Sequence, residues 1–290
     1  MDTHLISIAS GSSGNCTIVK NDNTTIMIDL GTGLKYVEQK LDEININKNE
    51  INGILLTHAH IDHYKSVGRF SLKYNTKIFT EKPTYETIIS KDFKNPIKKV
   101  KNIFSIPDRI GSIDIISFPV SHGGLIPAGY PVGFVFYSNS KKIGYLTDVG
   151  EVSNEGIELL KGCNEIFIEA NYDRKIIESK LSNKKFFNQW WYLNWVNSPL
   201  GHLSNEQTAE ALDEIVTNST EKIFLGHMSI NHNDYIRDNN QYTLARSIVI
   251  NKLKNSRSYL PNILPTYRVG KFKTLDEIDL FSQKGEGHYA

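Results

Sequence analysis

Ile54-Leu55-Leu56-Thr57-His58-Ala59-His60-Ile61-Asp62-His63 decides the fold: an apolar run that ends in three imidazoles and a carboxylate. Ile54 to Leu56 read as a buried strand, and a strand that stops at Thr57 delivers the following loop to the edge of a sheet. His58 and His60 lie two apart, so in an extended loop they point the same way, while Asp62 and His63 turn toward a second position beside the first. Two adjacent cations fit such a loop. Imidazole with carboxylate suits zinc, iron or manganese, and paired ions clamp an attacked phosphoryl or acyl group while supplying hydroxide near neutral pH. The plainer reading, a polar loop with chance histidines, is costly to hold together without a shared partner.

Working outward, the pattern of a strand that ends in a ligand-type residue recurs. Ile113 to Val120 run into Ser121-His122-Gly123-Gly124, where the glycines permit a tight turn beside a metal. The hairpin of Pro131 to Tyr137 and Lys142 to Leu146 is followed by Thr147-Asp148-Val149-Gly150, which on its own reads as a turn. Glu165 to Ile168 end in Glu169, and Lys222 to Gly226 end in His227. Before the metal motif, Leu5 to Ala9, Cys16 to Val19 and Thr25 to Asp29 make a β-meander. Its turn, Ser10 to Asn15, is either a plain hairpin turn or a set of exposed N–H groups for a phosphate, with Ser12, Ser13 and Asn15 as candidate substrate contacts. Helical spacing is read at Leu34 to Ile44, Tyr64 to Tyr74, Thr84 to Ser90, Ser153 to Gly162, Asn205 to Val216 and Leu244 to Leu253. The helix from Tyr64 would aim its N-terminus at an anion on the metals. His202 precedes a helix that Ser204 and Gln207 would box, so it is a capping loop residue or a functional one.

Residues 173 to 200 form a basic and aromatic insertion that holds all three tryptophans. Phe187, Trp191 and Trp195 fall four apart and would share a helix face, with Trp190 beside it. Core packing or self-association explains such a face more readily than base stacking, although the interleaved Lys180, Lys184 and Lys185 are what a single-strand groove would use. Lys94, Lys98, Lys99 and Lys101 read as a solvated loop.

The 290 residues suit one α/β domain, residues 1 to 290, with a polar tail from about 255 in which Gly285-Glu286-Gly287-His288 is a loose end. Lys plus Arg number 33 against 32 Asp plus Glu, so no global positive field gathers nucleic acid and any contact with it must use local patches. Cys16 and Cys163 cannot make a disulfide framework, and the start carries neither an apolar span nor a secretory leader, so a cytoplasmic enzyme with no membrane contact is expected. Six of the nine histidines fall in the motifs above; His4 and His288 stand outside them, and His232 lies in an asparagine-rich loop, Asn231 to Asn240.

At residues 58 to 63 the chain resembles the metallo-β-lactamase-fold hydrolases, whose first metal motif is His-x-His-x-Asp-His. Within them, Ser10-Gly11-Ser12-Ser13-Gly14-Asn15-Cys16, Val120-Ser121-His122 and Gly201-His202-Leu203-Ser204-Asn205 look like the YycJ/WalJ branch, associated with DNA exonuclease activity. The resemblance covers roughly residues 4 to 250. It implies an α/β fold, a four-layer αββα sandwich of two mixed sheets packed face to face, with the active site along one edge. It implies His58, His60 and His122 on one ion, Asp62, His63 and His227 on the other, and Asp148 bridging. Asp29 would brace the metal loop by hydrogen bonds without ligating. A hydroxide between the ions would attack phosphorus, oriented by Asp62. In ribonuclease Z-like members a glutamate after a strand pairs with a downstream histidine, a pairing matched here by Glu169 and His202. A carboxylate behind an imidazole fixes its tautomer and helps it protonate a poor alkoxide leaving group. Zinc is the first metal expected and manganese the second.

The resulting expectation is a metal-dependent phosphodiesterase acting on nucleic acid, DNA before RNA, as an exonuclease. Two rivals remain open. A small-molecule metallohydrolase, acting on cyclic or small phosphodiesters, thioesters or lactams, is favoured by the near-zero net charge. A scaffold with a spent site would bind no metal.

Overall fold

The computed structural model describes residues 3–138, 141–233 and 244–266. The chain opens with β1 (His4–Ala9), β2 (Cys16–Lys20) and β3 (Thr25–Ile28), then α1 (Leu34–Glu43), β4 (Gly53–Leu55), α2 (Ile61–Tyr64), α3 (Val67–Tyr74), β5 (Ile78–Phe79), α4 (Lys82–Lys91) and β6 (Ile103–Phe104). The strands line up as β1-β2-β3-β4-β5-β6, antiparallel through β3 and parallel beyond it. The second half runs β7 (Arg109–Ile110), β8 (Ile113–Pro119), β9 (Val132–Ser138), β10 (Lys141–Leu146), α5 (Asn154–Leu160), β11 (Glu165–Glu169), α6 (Arg174–Leu181), α7 (Trp190–Val196), α8 (Asn205–Ile215), β12 (Lys222–Gly226), α9 (Leu244–Ser256) and β13 (Asn262–Pro265). Its sheet is ordered β13-β12-β11-β10-β9-β8-β7, parallel from β13 to β10 and antiparallel from there to β7.

Residue alternation explains the four layers, because successive side chains of a strand face opposite ways. Ile26, Ile28 and Leu55 face the second sheet, where they join Phe134, Phe136, Tyr145, Phe167 and Phe224 in a buried cluster. Met27, Ile54 and Leu56 face outward against Val37 and Leu41 of α1, Phe70 of α3 and Ile88 of α4. In the second sheet Ile166, Ile168, Ile223 and Leu225 face outward against Leu212 and Ile215 of α8 and Val249 and Leu253 of α9. The two-sided burial reads in sequence as near-continuous apolar strands. The αββα sandwich expected from the sequence is therefore the observed architecture.

Local differences have physical reasons. The helix expected over Tyr64 to Tyr74 is interrupted: α2 carries Asp62 and His63 themselves, and the chain breaks at Ser66, whose N–H goes to Leu30 O at 2.9 Å and whose hydroxyl goes to Thr32 O at 2.7 Å. No long helix points from Tyr64 toward an anion. Phe187 is not on the helix of the tryptophans, because Lys184–Gln189 is a 3-10 turn and α7 begins at Trp190. The buried face of that segment is Ile177, Leu193 and Val196, packed with Tyr172. Past residue 255 the chain still makes β13, an edge strand parallel to β12 with Ile263 buried. The Ser204 and Gln207 capping box forms as expected. His288, the Gly285 to His288 end and most of the Asn231 to Asn240 loop lie outside the described residues. No helix among the described residues is long and apolar enough to cross a membrane.

Candidate metal centre

All the expected ligand residues leave the ends of strands along one edge of the sandwich. His58 to His63 follow β4 of the first sheet, while Asp148 and His227 follow β10 and β12 of the second. Asp29, Asp148 and His227 each adopt a left-handed backbone, with φ of 57°, 51° and 49°. Such a conformation costs roughly 1–3 kcal/mol for a non-glycine residue and survives only where the surroundings enforce it. Here hydrogen bonds do so: Thr57 N–H donates to Asp29 Oδ1 at 2.9 Å, and His227 N–H donates to Ser10 Oγ at 2.8 Å.

His58, His60, His122 and Asp148 bring one ligand atom each within 4.8 Å of one another, and so do Asp62, His63 and His227. Asp148 stands between these groups, with Oδ2 at 3.1 Å from His63 Nε2 and Oδ1 at 3.4 Å from His227 Nε2 and 3.7 Å from His122 Nε2. In the first group the outer nitrogens are committed as donors: His122 Nδ1–H to Gly201 O at 2.7 Å and His60 Nε2–H to Ile126 O at 3.2 Å. Their inner nitrogens then face each other with bare lone pairs, 3.1 Å apart. His58 Nε2 is buried with no hydrogen-bond partner, while its Nδ1 meets Thr57 Oγ1 at 3.0 Å. Burial holds His58 well below the usual imidazole range, with the nearby His63 adding to it, and burial brings His122 to about 3. Neutral imidazoles aiming lone pairs at one another are a stable arrangement around a cation and a repulsive one without it.

The second group has the opposite electrostatics. Burial alone would lower His63, but the charges of Asp148, Asp29 and Asp62 outweigh it and hold the ring well above its ordinary value. His227, lowered by burial, is carried to about 10 by Asp148 and by hydrogen bonds to Asp62 and Glu169. Asp62 is held at about 2, where the charge of His63 and the His227 hydrogen bond overcome the effect of burial. Protons on these imidazoles do in the free protein what a divalent cation would do in their place. Both groups fit divalent metal ions.

Asp29 Oδ2 accepts from His63 Nδ1 at 2.7 Å and from the Thr57 hydroxyl at 2.8 Å. Glu169 is fully buried and does more than the sequence indicated. Its Oε2 lies 3.0 Å from His202 Nδ1 and 3.4 Å from His227 Nδ1, so one carboxylate backs both imidazoles. Its Oε1 accepts from Val149 N–H at 2.9 Å and Leu203 N–H at 3.0 Å. Electrostatics keep it ionised at about 2, because His202 outweighs burial. His202 Nδ1 is 3.8 Å from Asp148, which sets this ring beside the ligand groups.

The glycine-serine turn places its three candidate substrate contacts in different surroundings. Ser12 and Ser13 are exposed on the turn, whereas Asn15 is buried and faces inward, its amide 2.9 Å from His63 Nε2 and its Oδ1 accepting from Gly11 N–H at 2.8 Å. Sequence reasoning missed Thr57, which lies inside the quoted stretch, and Asn171, whose amide donates to His227 O at 2.7 Å and sits 3.1 Å from His227 Nδ1. The signal for Asn171 was its place two residues after Glu169 at a strand end. Trp195 was also missed as a site residue: its Nε1–H donates to Gly123 O at 2.6 Å, and its ring meets that of His202 edge-on at 5.5 Å.

Residues 9–227 match the model of the Metallo-beta-lactamase superfamily. The chain is 32% identical over 251 residues to an exodeoxyribonuclease YycJ of Bacillus anthracis, covering 86% of this chain and 88% of that one. It is likewise 32% identical over 249 residues to an exodeoxyribonuclease WalJ of Streptococcus pneumoniae serotype 2, covering 85% and 86%. Among solved structures, a diphosphatase from the PhnP family superposes with a TM-score of 0.58 at 17% identity, covering 92% of this chain and 95% of that one, which speaks to the fold. A strand-edge cluster built to take cations, on this sandwich and with these relatives, makes the chain a metal-dependent hydrolase belonging to the metallo-β-lactamase superfamily.

Proposed function

We propose that the protein is a dinuclear metal-dependent phosphodiesterase of the cytoplasm that shortens DNA from an end. The observation that carries this reading is His202, backed by Glu169 at 3.0 Å and standing 3.8 Å from Asp148. A proton donor at that place serves a reaction whose leaving group is a poor one, as an alkoxide is. The two similar proteins named above, both exodeoxyribonucleases, support nucleic acid as substrate and DNA in particular.

His58, His60 and His122 would hold one ion, Asp62, His63 and His227 the other, with Asp148 shared between them. Two divalent ions, zinc first and manganese second, would polarise the phosphoryl group and make hydroxide available near neutral pH. The Asp62 carboxylate would orient the attacking oxygen. His202 keeps Nδ1–H on Glu169, so Nε2 is the nitrogen that delivers a proton to the departing oxygen. Asp29 and Thr57 hold His63 and the motif loop in register, and Glu169 and Asn171 do the same for His227.

End-labelled single- and double-stranded DNA and RNA, together with bis-p-nitrophenyl phosphate, test the reading on metal-loaded protein with Asp62→Ala and His202→Ala beside it. Stepwise shortening of DNA that both substitutions abolish is the expected result. Turnover of the small diester alone, with every polymer intact, would move the protein to small-molecule phosphodiester chemistry.

A further inference from the structure

The segment between Glu169 and His202 exposes large rings where a buried core face was the simpler expectation. Trp190 is 54% exposed, Trp191 56% and Phe187 76%. Exposed aromatic surface of this extent, next to a catalytic edge, marks a contact for something outside the chain.

These rings are not scattered. Trp191 meets Tyr192 at 5.9 Å between ring centroids, Tyr192 meets Trp195 at 5.8 Å, and Trp195 meets His202 at 5.5 Å. A continuous line of rings therefore leads from the surface to the proton donor. Tyr192 also lies 6.4 Å from the ring of His232. Burial, with the charge of Asp62 added, raises the Tyr192 hydroxyl. That hydroxyl has no hydrogen-bond partner among the described residues.

The charge distribution singles out the same segment. Arg174, Lys175, Lys180, Lys184 and Lys185 face only Asp173 and Glu178 within it, which leaves the segment net positive although the chain as a whole stands at +1. Rings interleaved with cations bind single strands, because every base offers a face to stack and every phosphate a charge. A duplex hides its base faces, except at its end. A second copy of this chain would bring the same positive charge to the contact.

Resting on the phosphodiesterase reading above, we propose that Trp191, Tyr192 and Trp195 are a stacking track for the unpaired end of a DNA strand, which sets the terminal phosphodiester beside His202. The enzyme then takes a single-stranded or frayed end, and a blunt duplex only after its last pairs open.

Binding to metal-free full-length protein, which isolates recognition from cleavage, tests the track. The probe is a fluorescein-labelled single strand of about 12 nucleotides, read by anisotropy, alongside the same strand with abasic sites at its unlabelled end. Stacking contributes on the order of 1–3 kcal/mol per base, so Trp191→Ala should weaken binding by about tenfold. Removing the bases should cost the wild-type protein about as much, and the variant little more, because the base and the ring lose the same contact. Phe187→Ala, exposed but off the line, should stay within about twofold of wild type.

The track is wrong if the wild-type protein does not hold the strand, if the two losses multiply as independent effects, or if Trp191→Ala binds like wild type. It is also wrong if that variant changes the sedimenting species while its affinity is unchanged, since self-association is then what the ring serves. Coupling that persists in a protein whose metal-loaded form cleaves no phosphodiester would uphold the track and sink the catalytic reading. Cleavage of DNA without coupling would do the reverse.

Discussion

Gly31 touches the metal loop so closely that one methyl group should disable it. A Cβ built at Gly31 lies 1.6 Å from Asp62 O, 1.9 Å from Asp62 C and 2.5 Å from His63 N. Backbone atoms are involved, so no side chain can swing aside. Bringing the new carbon out to the 3.0 Å limit requires the Asp62–His63 peptide to retreat by about 1.4 Å. That retreat would pull on Asn15 N–H to Asp62 O at 2.8 Å, Leu30 N–H to His63 O at 2.8 Å and Gly31 N–H to Asn15 O at 2.9 Å. Overpacking of this kind costs about 1–3 kcal/mol, and displacement of a catalytic group by about 1 Å costs on the order of 100-fold in rate. Gly31→Ala should therefore lose about 1–3 kcal/mol in denaturant unfolding of the metal-free protein, and its turnover of bis-p-nitrophenyl phosphate should fall by about 100-fold. Gly33→Ala is the matched control: its Cβ would meet nothing within 4 Å, and its φ of −63° suits any residue. If Gly31→Ala keeps metal affinity and turnover within about threefold of Gly33→Ala, the close approach is not what fixes the loop.

Three further outcomes follow from the site. His202→Ala should reduce hydrolysis of a DNA phosphodiester by about 100- to 10,000-fold but that of a p-nitrophenyl ester far less, since p-nitrophenolate departs without a proton; equal losses on both would remove the donor role. In the metal-free protein His227, raised to about 10, gives stability that is full below its unfolded value near 6.5 and is lost as pH rises toward 10. His122, lowered to about 3, works oppositely and costs stability as pH falls below 6.5. Urea midpoints of the metal-free protein should peak between these limbs and flatten on adding zinc; a monotonic profile would contradict the assignment. Ser204→Ala removes the hydroxyl that accepts Gln207 N–H at 3.2 Å, for a cost of about 1 kcal/mol in unfolding, with the Glu169 hydrogen bond to Leu203 N–H left in place.

Much of the site was legible because the chemistry is written locally. His58, His60, Asp62 and His63 fall within one loop, and His122, Asp148 and His227 each follow a strand that alternation or apolar run length reveals. The sandwich was legible for the same reason, since Leu55 and Phe167 alternate with neighbours that face the helices. What escaped depends on contacts distant in sequence. The break before α3 is set by Ser66 bonding to Leu30 and Thr32, and helical periodicity carries no trace of that. The edge strand β13 rests on pairing with β12 and has only Ile263 and Leu264 as apolar signal. Glu169 serving two imidazoles, and Asn171 holding the His227 carbonyl, require knowing that β11 and β12 are neighbours. The spacing of Phe187, Trp191 and Trp195 misled because a 3-10 turn advances each residue further around the axis than an α-helix does.

The excursion that leaves after Glu169 and returns at Ser204 is stitched shut at its base. Tyr172 and Ser204 form a parallel bridge, Asn205 N–H reaches Tyr172 O at 2.8 Å, and Asn171 N–H reaches Leu203 O at 3.0 Å. The exposed rings and His202 thus travel on a single looped cassette, while every proposed metal ligand lies outside it. The cassette also touches the ion-holding frame, because its Gly201 O accepts from His122 Nδ1 at 2.7 Å, so recasting the loop puts the aim of both His122 and His202 at risk. On the proposed reading, choice of substrate and protonation of the leaving group would be mechanically geared to one another, and variants selected for a new substrate should carry their compensating changes at the stitched base, around Tyr172 and Ser204.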